Sequence, residues 1–564
     1  MKEKLEMLLE SAFINLGYDK SFSKVSISGR PELCDFQINS VFTIAKENHL
    51  KPEEVGNKLV EEIMKIDGIN NYIKNIEFVL PGFINIVVSD LFISSELNSC
   101  VSGEYFGVSR IKDDITCVVD YGGPNIAKPL HVGHLRPAII GESINRILKF
   151  KGYKTISDVH LGDIGLQMGQ VIYGLKERNL KPEDITIELL QEIYPEMSGR
   201  CKENKEVLEK CKEITNDLQN GNEEYQSYFK VMYDVSLNDI KRIYRYLDVD
   251  FDYWYGEKDS YKYMDQLMKF LEDAGVVEID SGAKIIRVAE EGDKKEVPPL
   301  ILQASNGSYL YATSDLATIY QRMKDFDPNY ILYVVDQRQS LHFEQVFRSC
   351  KKSGLTKNVI LEHNKFGTIN GPDGKPFKTR NGEALKLDDL INTVKEIFIN
   401  KKESNKDMDS SDIDKIVNAI IKFADLQNNR ERDYIFDIEK FADVNGKTGP
   451  YLLYTAVRIK KIVGDYVSDH IGDKIYNKFD RDLRMKLLDV NEVVTKAADT
   501  RMPSYVADYL YDLAVIANTF YQNNNISNLE DLDMKNTWIS LLSYTYKVME
   551  SLLDLLMIHI PSKM

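Results

Sequence analysis

Zinc sites and disulfide frameworks have little to draw on in this sequence. Its 564 residues include only six cysteines and eight histidines. Cys34, Cys100, Cys117, Cys201, Cys211 and Cys350 are scattered and form no CxxC pair. Neither zinc nor a disulfide scaffold is therefore expected, and a reducing cytoplasm fits. No run approaches the roughly 20 apolar residues of a membrane-spanning helix. The start, MKEKLEMLLESAFINLGYDK, mixes acidic and apolar residues and lacks the basic and apolar regions of an export signal. Repeats and low-complexity linkers are also missing. Positive charge is in deficit, with 72 Lys and Arg against 88 Asp and Glu and a net charge of -16. That argues against a uniformly basic nucleic-acid-binding surface, while leaving room for a local basic groove. What remains is an ordinary globular composition, 43% hydrophobic and 28% charged, in a chain long enough for about three or four domains.

Hydrophobic patterning divides the chain. Residues 1–108 read as a small α+β unit: KPEEVGNKLVEEIMKI has helical spacing, and IEFVLPGFINIVVS gives two strands around a Pro81–Gly82 turn. At Ile115 the pattern changes. ITCVVDYGG is a continuous apolar run, as in a buried parallel strand, and ends in a Gly/Pro/Asn loop. HVGHLRPAIIGESINRILKFKG follows as a helix closed by Gly152, then KTISDVHLGD as a strand. Strand, loop, helix and strand open a doubly wound, Rossmann-like parallel sheet. This domain is expected over 109–400, with a helical insertion at about 175–300 and a further buried strand, YILYVVD. From about Ser411 the pattern is helical with no strand runs, which predicts an all-α domain over 401–564. The predicted class is multidomain α/β.

Three segments carry candidate chemistry. In DYGGPNIAKPLHVGHLR, His131 and His134 share one face at the start of a helix, where free N–H groups and the dipole favour anions. Their imidazoles can donate to phosphate oxygens, and Gly133 leaves room for a base or ribose. The alternatives are surface histidines or metal ligands, although no third ligand stands at the right spacing. In GTINGPDGKPFKTRNGEALKLDDL, Lys375, Lys378 and Arg380 lie in a Gly-rich loop that can face an anion, or equally form a solvated hairpin about PDG. In YLYATSDLATIYQRM, a helix beginning near Thr313 brings Tyr311 and Asp315 together, a flat ring and a carboxylate suited to a guanidinium. Thr313 or Ser314 as N-cap, with Asp315 serving the helix dipole, reads equally well.

Longer strings resolve these alternatives. PNIAKPLHVGHLR, with LGDIGLQMG after it, resembles the arginyl form of the HIGH signature of class I aminoacyl-tRNA synthetases. KPFKTR is similar to the KMSKS loop of that class in a degenerate form, with Thr379 near the second Lys position. The resemblance spans the chain and implies ATP-dependent activation of L-arginine and its transfer to tRNA(Arg), with Mg²⁺ accompanying ATP and no zinc. It implies phosphate contacts from His131, Gly133 and His134, with Lys128 supplying the missing cation. Tyr311 and Asp315 match the family's YxTxD recognition pattern, and Glu257 in WYGEKDS is a second acid by similarity. Asp120, Asn125 and Gln339 would receive the amino acid's polar groups, and His342 would meet the adenosine end. For tRNA it points to Tyr451, Tyr454 and Tyr521 in a helical anticodon-binding domain, and to Phe83 and Asn85 in an appended N-terminal domain that contacts tRNA. A monomer is expected. A cysteinyl enzyme would need zinc ligands, a glutamyl one cationic substrate ligands, and a nucleotidylyltransferase would leave the helical C-terminus unexplained.

Overall fold

A computed structural model describes residues 1–375, 377, 385–401 and 407–564, which fall into two compact units. One unit comprises Met1–Ser109, Thr455–Val493 and Tyr509–Ser551. Its N-terminal part runs α1 (Lys2–Asn15), β1 (Val25–Ile27), β2 (Phe36–Ile38), α2 (Val41–Glu47), α3 (Pro52–Ile63), β3 (Ile73–Val79), β4 (Phe83–Val88) and α4 (Asp90–Val101). Pro52 opens α3, Glu53 and Glu54 face its positive end, and Val55, Leu59 and Ile63 form its buried stripe. The strands make an antiparallel sheet in the order β1-β2-β4-β3, with the expected turn joining Val79 to its partner Phe83. Two arginines of a later helix, Lys478–Leu487, tie it to this part of the unit: Arg481 grips Asp35 at 2.7 and 2.9 Å, and buried Arg484 donates to Ser94 of α4 at 3.2 Å.

The other unit comprises Arg110–Tyr454, Val494–Asp508 and Leu552–Met564. It opens with β5 (Thr116–Asp120), α5 (Leu135–Lys151) and β6 (Lys154–Leu161). Four helices follow, α6 (Leu166–Glu177), α7 (Ile187–Glu203), α8 (Lys205–Gln219) and α9 (Glu223–Tyr246), then β7 (Tyr253–Gly256), α10 (Glu257–Tyr261) and α11 (Met264–Asp273). A small antiparallel sheet, β8 (Glu278–Asp280), β9 (Ala283–Ile286) and β10 (Leu300–Gln303), precedes α12 (Tyr311–Phe326), β11 (Tyr330–Tyr333), α13 (Ser340–Ser353) and β12 (Ile360–His363). The main sheet is wholly parallel, in the order β12-β11-β5-β6-β7. Winding reverses between β5 and β11. In such sheets the crevice for ligands opens beyond the carboxyl ends of those two strands.

Three local expectations are corrected. The stretch at about 175–300 is not helical throughout: beyond α9 it carries β7 of the main sheet and β8 and β9 of the small one, strands too short to write an apolar run. The helical C-terminal stretch does contain a strand: β14 (Tyr434–Ile435) pairs in parallel with β13 (Ile369–Asn370), a pairing too short to leave a periodic signal. And α12 begins at Tyr311, with Leu310 as N-cap and no side-chain cap. Thr313 instead donates its hydroxyl to the Leu302 carbonyl at 2.5 Å, and Ser314 donates to the Tyr311 carbonyl at 2.8 Å.

Candidate active site

A cleft of about 670 Å³ lies at the switch point of the parallel sheet. It is lined by Asp120 and Asn125 after β5, by His131 and His134 before α5, and by Tyr311 and Asp315 from the first turns of α12. Gly133 and Gln339 also reach it. The two chemistries expected separately from the sequence therefore share one cavity.

Hydrogen bonds fix the tautomers of the paired imidazoles. The Gly133 amide donates to His131 Nδ1 at 3.1 Å, and the His131 amide donates to His134 Nδ1 at 3.1 Å. With both Nδ1 atoms accepting, a neutral ring carries its proton on Nε2. Burial, with help from the neighbouring Lys128 charge, holds the His131 pKa below its usual value. Burial and then the His131 ring push His134 down to about 3. Both are therefore neutral Nε2–H donors at neutral pH, their rings tilted by 40° with centroids 3.9 Å apart. Gly133 lines the cleft, and on its other side a Cβ would stand 2.8 Å from His131 Cε1, so glycine also lets that ring fold back over the turn.

The acidic side centres on α12. Asp315 accepts from His342 Nε2 at 2.6 Å, and the Tyr311 hydroxyl donates to Glu257 at 2.5 Å. The Tyr311 ring is 67% exposed, so its face is free for a planar group. Burial raises the Glu257 carboxyl to about 7, with Asp163 and Asp315 adding to the rise and Tyr311 and Lys128 opposing it. Asp163 is itself buried, its Oδ2 without a hydrogen bond and 3.7 Å from Lys258 Nζ. Clustered acids of this kind are relieved by a cation. The sequence points His342 toward adenosine; the structure sets it against Asp315.

Beneath the cleft runs an ion-pair network that sequence reasoning missed. Arg322, on the Asp315 side of α12, forks onto Asp158 of β6 at 2.8 and 2.9 Å and reaches Asp120 at 2.6 Å. The signal was available: Asp158 sits inside a predicted buried strand, where a carboxylate demands a partner, and Arg322 lies two helical turns from Asp315. Arg136 was missed as well. Buried against Asp425 at 3.0 Å, it donates to the Gly367 carbonyl at 2.7 Å and so pins the start of the Gly-rich loop.

Known proteins match this chain in sequence and in fold. Residues 96–438 match the family of class I (R) tRNA synthetase catalytic domains, residues 1–88 the arginyl tRNA synthetase N-terminal domain, and residues 452–564 the DALR anticodon binding domain. The chain belongs to the class I arginyl-tRNA synthetases. Among curated relatives, the arginine--tRNA ligase of Alkaliphilus oremlandii is 41% identical, over 100% of this chain and 99% of its own. That of Agathobacter rectalis is 38% identical over 100% of both. In fold, the arginyl-tRNA synthetase of Thermus thermophilus superposes with a TM-score of 0.80 at 19% identity, covering 100% of both chains, and that of Plasmodium falciparum with 0.81 at 24%, covering 100% of this chain and 99% of its own.

Within this synthetase the remaining candidates fall as follows. Lys128 rests over the Tyr194 ring at 4.9 Å, and its charge is felt at His131, His134 and Glu257. Lys375 is exposed in the Pro372–Asp373–Gly374 turn, where the Gly371 amide donates to its carbonyl at 2.7 Å. Lys378 and Arg380 lie outside the described residues. The chain leaving that loop is stitched to the histidine segment: Val132 N–H donates to Leu385 O, and Leu387 N–H to Leu130 O, both at 2.9 Å. Tyr454 is 44% exposed and Tyr451 half-buried, while Tyr521 stacks under Arg458 at 4.3 Å. Asn85 is buried and accepts from the Gln37 side chain at 2.9 Å, and Phe83 packs edge-on against Phe42. Asp248, Asp554 and His559 come close enough to hold a metal, but Arg146 already pairs with both carboxylates at 3.0 and 3.1 Å. Among the described residues no helix is long and apolar enough to cross a membrane.

Proposed function

We propose that this protein activates L-arginine with ATP and esterifies it to the terminal adenosine of tRNA(Arg). The observation that carries the reading is one cleft lined by two neutral Nε2–H imidazoles together with Tyr311 and Asp315, with Glu257 hydrogen-bonded to the Tyr311 hydroxyl. The arginine carboxylate attacks the α-phosphorus of ATP, the bond to the β-phosphate oxygen breaks, and pyrophosphate leaves. The ribose 2′-hydroxyl of the terminal nucleotide then attacks the arginyl carbonyl and AMP leaves. No protein nucleophile is needed, so catalysis is positioning and charge stabilisation.

His131 and His134 donate to the α-phosphate, where negative charge grows in the transition state, and Lys128 faces the departing polyphosphate. Lys375, Lys378 and Arg380 supply further positive charge from the loop. ATP enters as its Mg²⁺ complex, the ion held mainly by phosphates and water. Asp120 keeps acceptor capacity beside its bond to Arg322 and, with Asn125 and Gln339, takes the α-amino end of arginine. Asp315 takes the guanidinium, since His342 occupies only one of its carboxylate lone pairs. Tyr311 lays its face along the planar cation and holds Glu257 in position. Domains at 1–108, 109–400 and 401–564, a monomeric state, cytoplasmic location and independence of zinc complete the reading. The direct test is charging of bulk tRNA with each amino acid in turn: arginine alone should be incorporated, and incorporation of another amino acid in its place would overturn the assignment.

Glu257 gives arginine binding a pH dependence. In the free site its carboxyl holds a proton up to about 7. A guanidinium favours the carboxylate, so binding releases that proton. Affinity should therefore rise about tenfold per pH unit as pH climbs toward about 7, then level. A dissociation constant that does not move with pH, or a Glu257→Gln variant with the wild-type slope, removes Glu257 from the pocket.

Tyr454 provides an exposed face for an unpaired base. Tyr454→Ala should raise the KM for tRNA by roughly 5- to 100-fold, the worth of about one stacked base. The KM for arginine should stay put, and an unchanged tRNA KM would free Tyr454 of this role.

A further inference from the structure

Of the six cysteines, two sit together. Cys201 Sγ lies 3.6 Å from Cys211 Sγ, across the junction of α7 and α8. Closing that gap to the roughly 2 Å of a disulfide needs only a small shift of either helix end. Cys201 is 6% exposed and Cys211 fully buried, so an oxidant meets Cys201 first. α7 touches segments that flank the cleft. α7 carries Tyr194, over which Lys128 rests, and Gln191, which accepts from Lys386 Nζ at 2.7 Å. Lys386 follows the Gly-rich loop and is bridged to His131. Pro195 lies inside α7, between those contacts and Cys201. A proline there removes one helical hydrogen bond and makes a natural bending point. α8 is clamped to α6 just as closely: a Cβ on Gly169 would stand 2.0 Å from the Cys211 carbonyl, which also accepts from Thr215 at 2.8 Å. α7 rests on α6 too, through Arg200 on Glu177 at 2.6 Å and Met197 at Gly174, so closing the sulfur gap strains α7 on both sides of Pro195.

We propose that Cys201 and Cys211 form a reversible dithiol–disulfide pair, oxidised by hydrogen peroxide, that bends α7 at Pro195 and slows nucleotide chemistry by withdrawing support from Lys128. The Cys201 sulfur attacks peroxide, the O–O bond breaks, and its thiol proton leaves with the departing hydroxide as water, giving a sulfenic acid. The Cys211 sulfur displaces the hydroxyl, and a second water carries off the remaining proton. Two thiols and one peroxide yield one disulfide and two waters.

The test exposes the full-length protein to hydrogen peroxide, blocks remaining thiols in denaturant and maps the peptides by mass. The expected product links Cys201 to Cys211, two hydrogens lighter, and reverts with dithiothreitol. Arginine-dependent adenylation should fall several-fold on oxidation with little change in arginine KM, and recover on reduction. Cys201→Ser and Cys211→Ser should each keep full rate and ignore peroxide. Both thiols still free after treatment, or Cys201 halted at sulfinic acid, overturns the pair; a linked protein with unaltered rate overturns the coupling to Lys128. The rate arm rests on the functional reading above, whereas the mass arm does not, so a protein with no adenylation before oxidation counts against that reading alone.

Discussion

Asp315→Ala is expected to lower kcat/KM for arginine by roughly a hundred- to a thousand-fold. Truncating one partner of a hydrogen-bonded, desolvated charge pair costs about 2–5 kcal/mol, and each 1.4 kcal/mol is tenfold. Asp315 suits that range. It stands in the first turns of α12, whose positive end favours an anion, and His342 holds one of its oxygens at 2.6 Å. A guanidinium arriving in the mutant would meet Glu257 alone, whose carboxyl in the free site holds its proton up to about 7. The loss should appear in arginine-dependent ATP–pyrophosphate exchange measured with tRNA present, and the KM for ATP should scarcely move. Asp315→Asn separates charge from shape: it keeps a hydrogen-bond acceptor for His342 and should still lose most of the activity. Near-wild-type exchange in either variant would falsify the guanidinium role.

Much of this site is legible in the sequence, for a physical reason. Segments whose chemistry depends on neighbours along the chain, such as the histidine pair at a helix start and the Tyr311–Asp315 spacing, carry their geometry with them, because a helix fixes it. The parallel strands are legible too, since burial on both faces writes a continuous apolar run. What escapes depends on distant partners. Asp158 in its apolar strand asks for a buried cation, but only the fold says that the cation is Arg322, and nothing near Arg136 names the Gly367 carbonyl. The two-residue pairing of β13 with β14 is too short for any period. The start of α12 reads two residues late because Thr313 and Ser314 look like caps, whereas their hydroxyls go to carbonyls of Leu302 and Tyr311. His342 reads as an adenosine contact from its loop, but its partner lies on another helix.

The second large effect concerns His134. His134→Ala should slow adenylate formation by roughly a hundred- to a thousand-fold, the usual cost of removing one preorganised donor from a developing oxyanion. The side chain has two jobs, however. Its Nδ1 accepts the His131 amide and shapes the turn, and its Nε2–H points the other way, as the donor. Alanine removes both, so slow catalysis alone would not say which mattered. Two amides divide them. The His134→Asn substitution supplies a short side-chain carbonyl that can still accept from the His131 amide; that variant should keep thermal stability and lose the rate. His134→Gln places an N–H nearer the Nε2 position and should recover part of the rate. Because burial holds His134 down to about 3, the wild-type donor is neutral across the physiological range, and its contribution should not titrate there. Arginine KM should change little in all three variants, since the contact strengthens only as phosphate charge grows. A His134→Asn enzyme with wild-type rate would mean that the turn, and not the donor, is what the histidine provides.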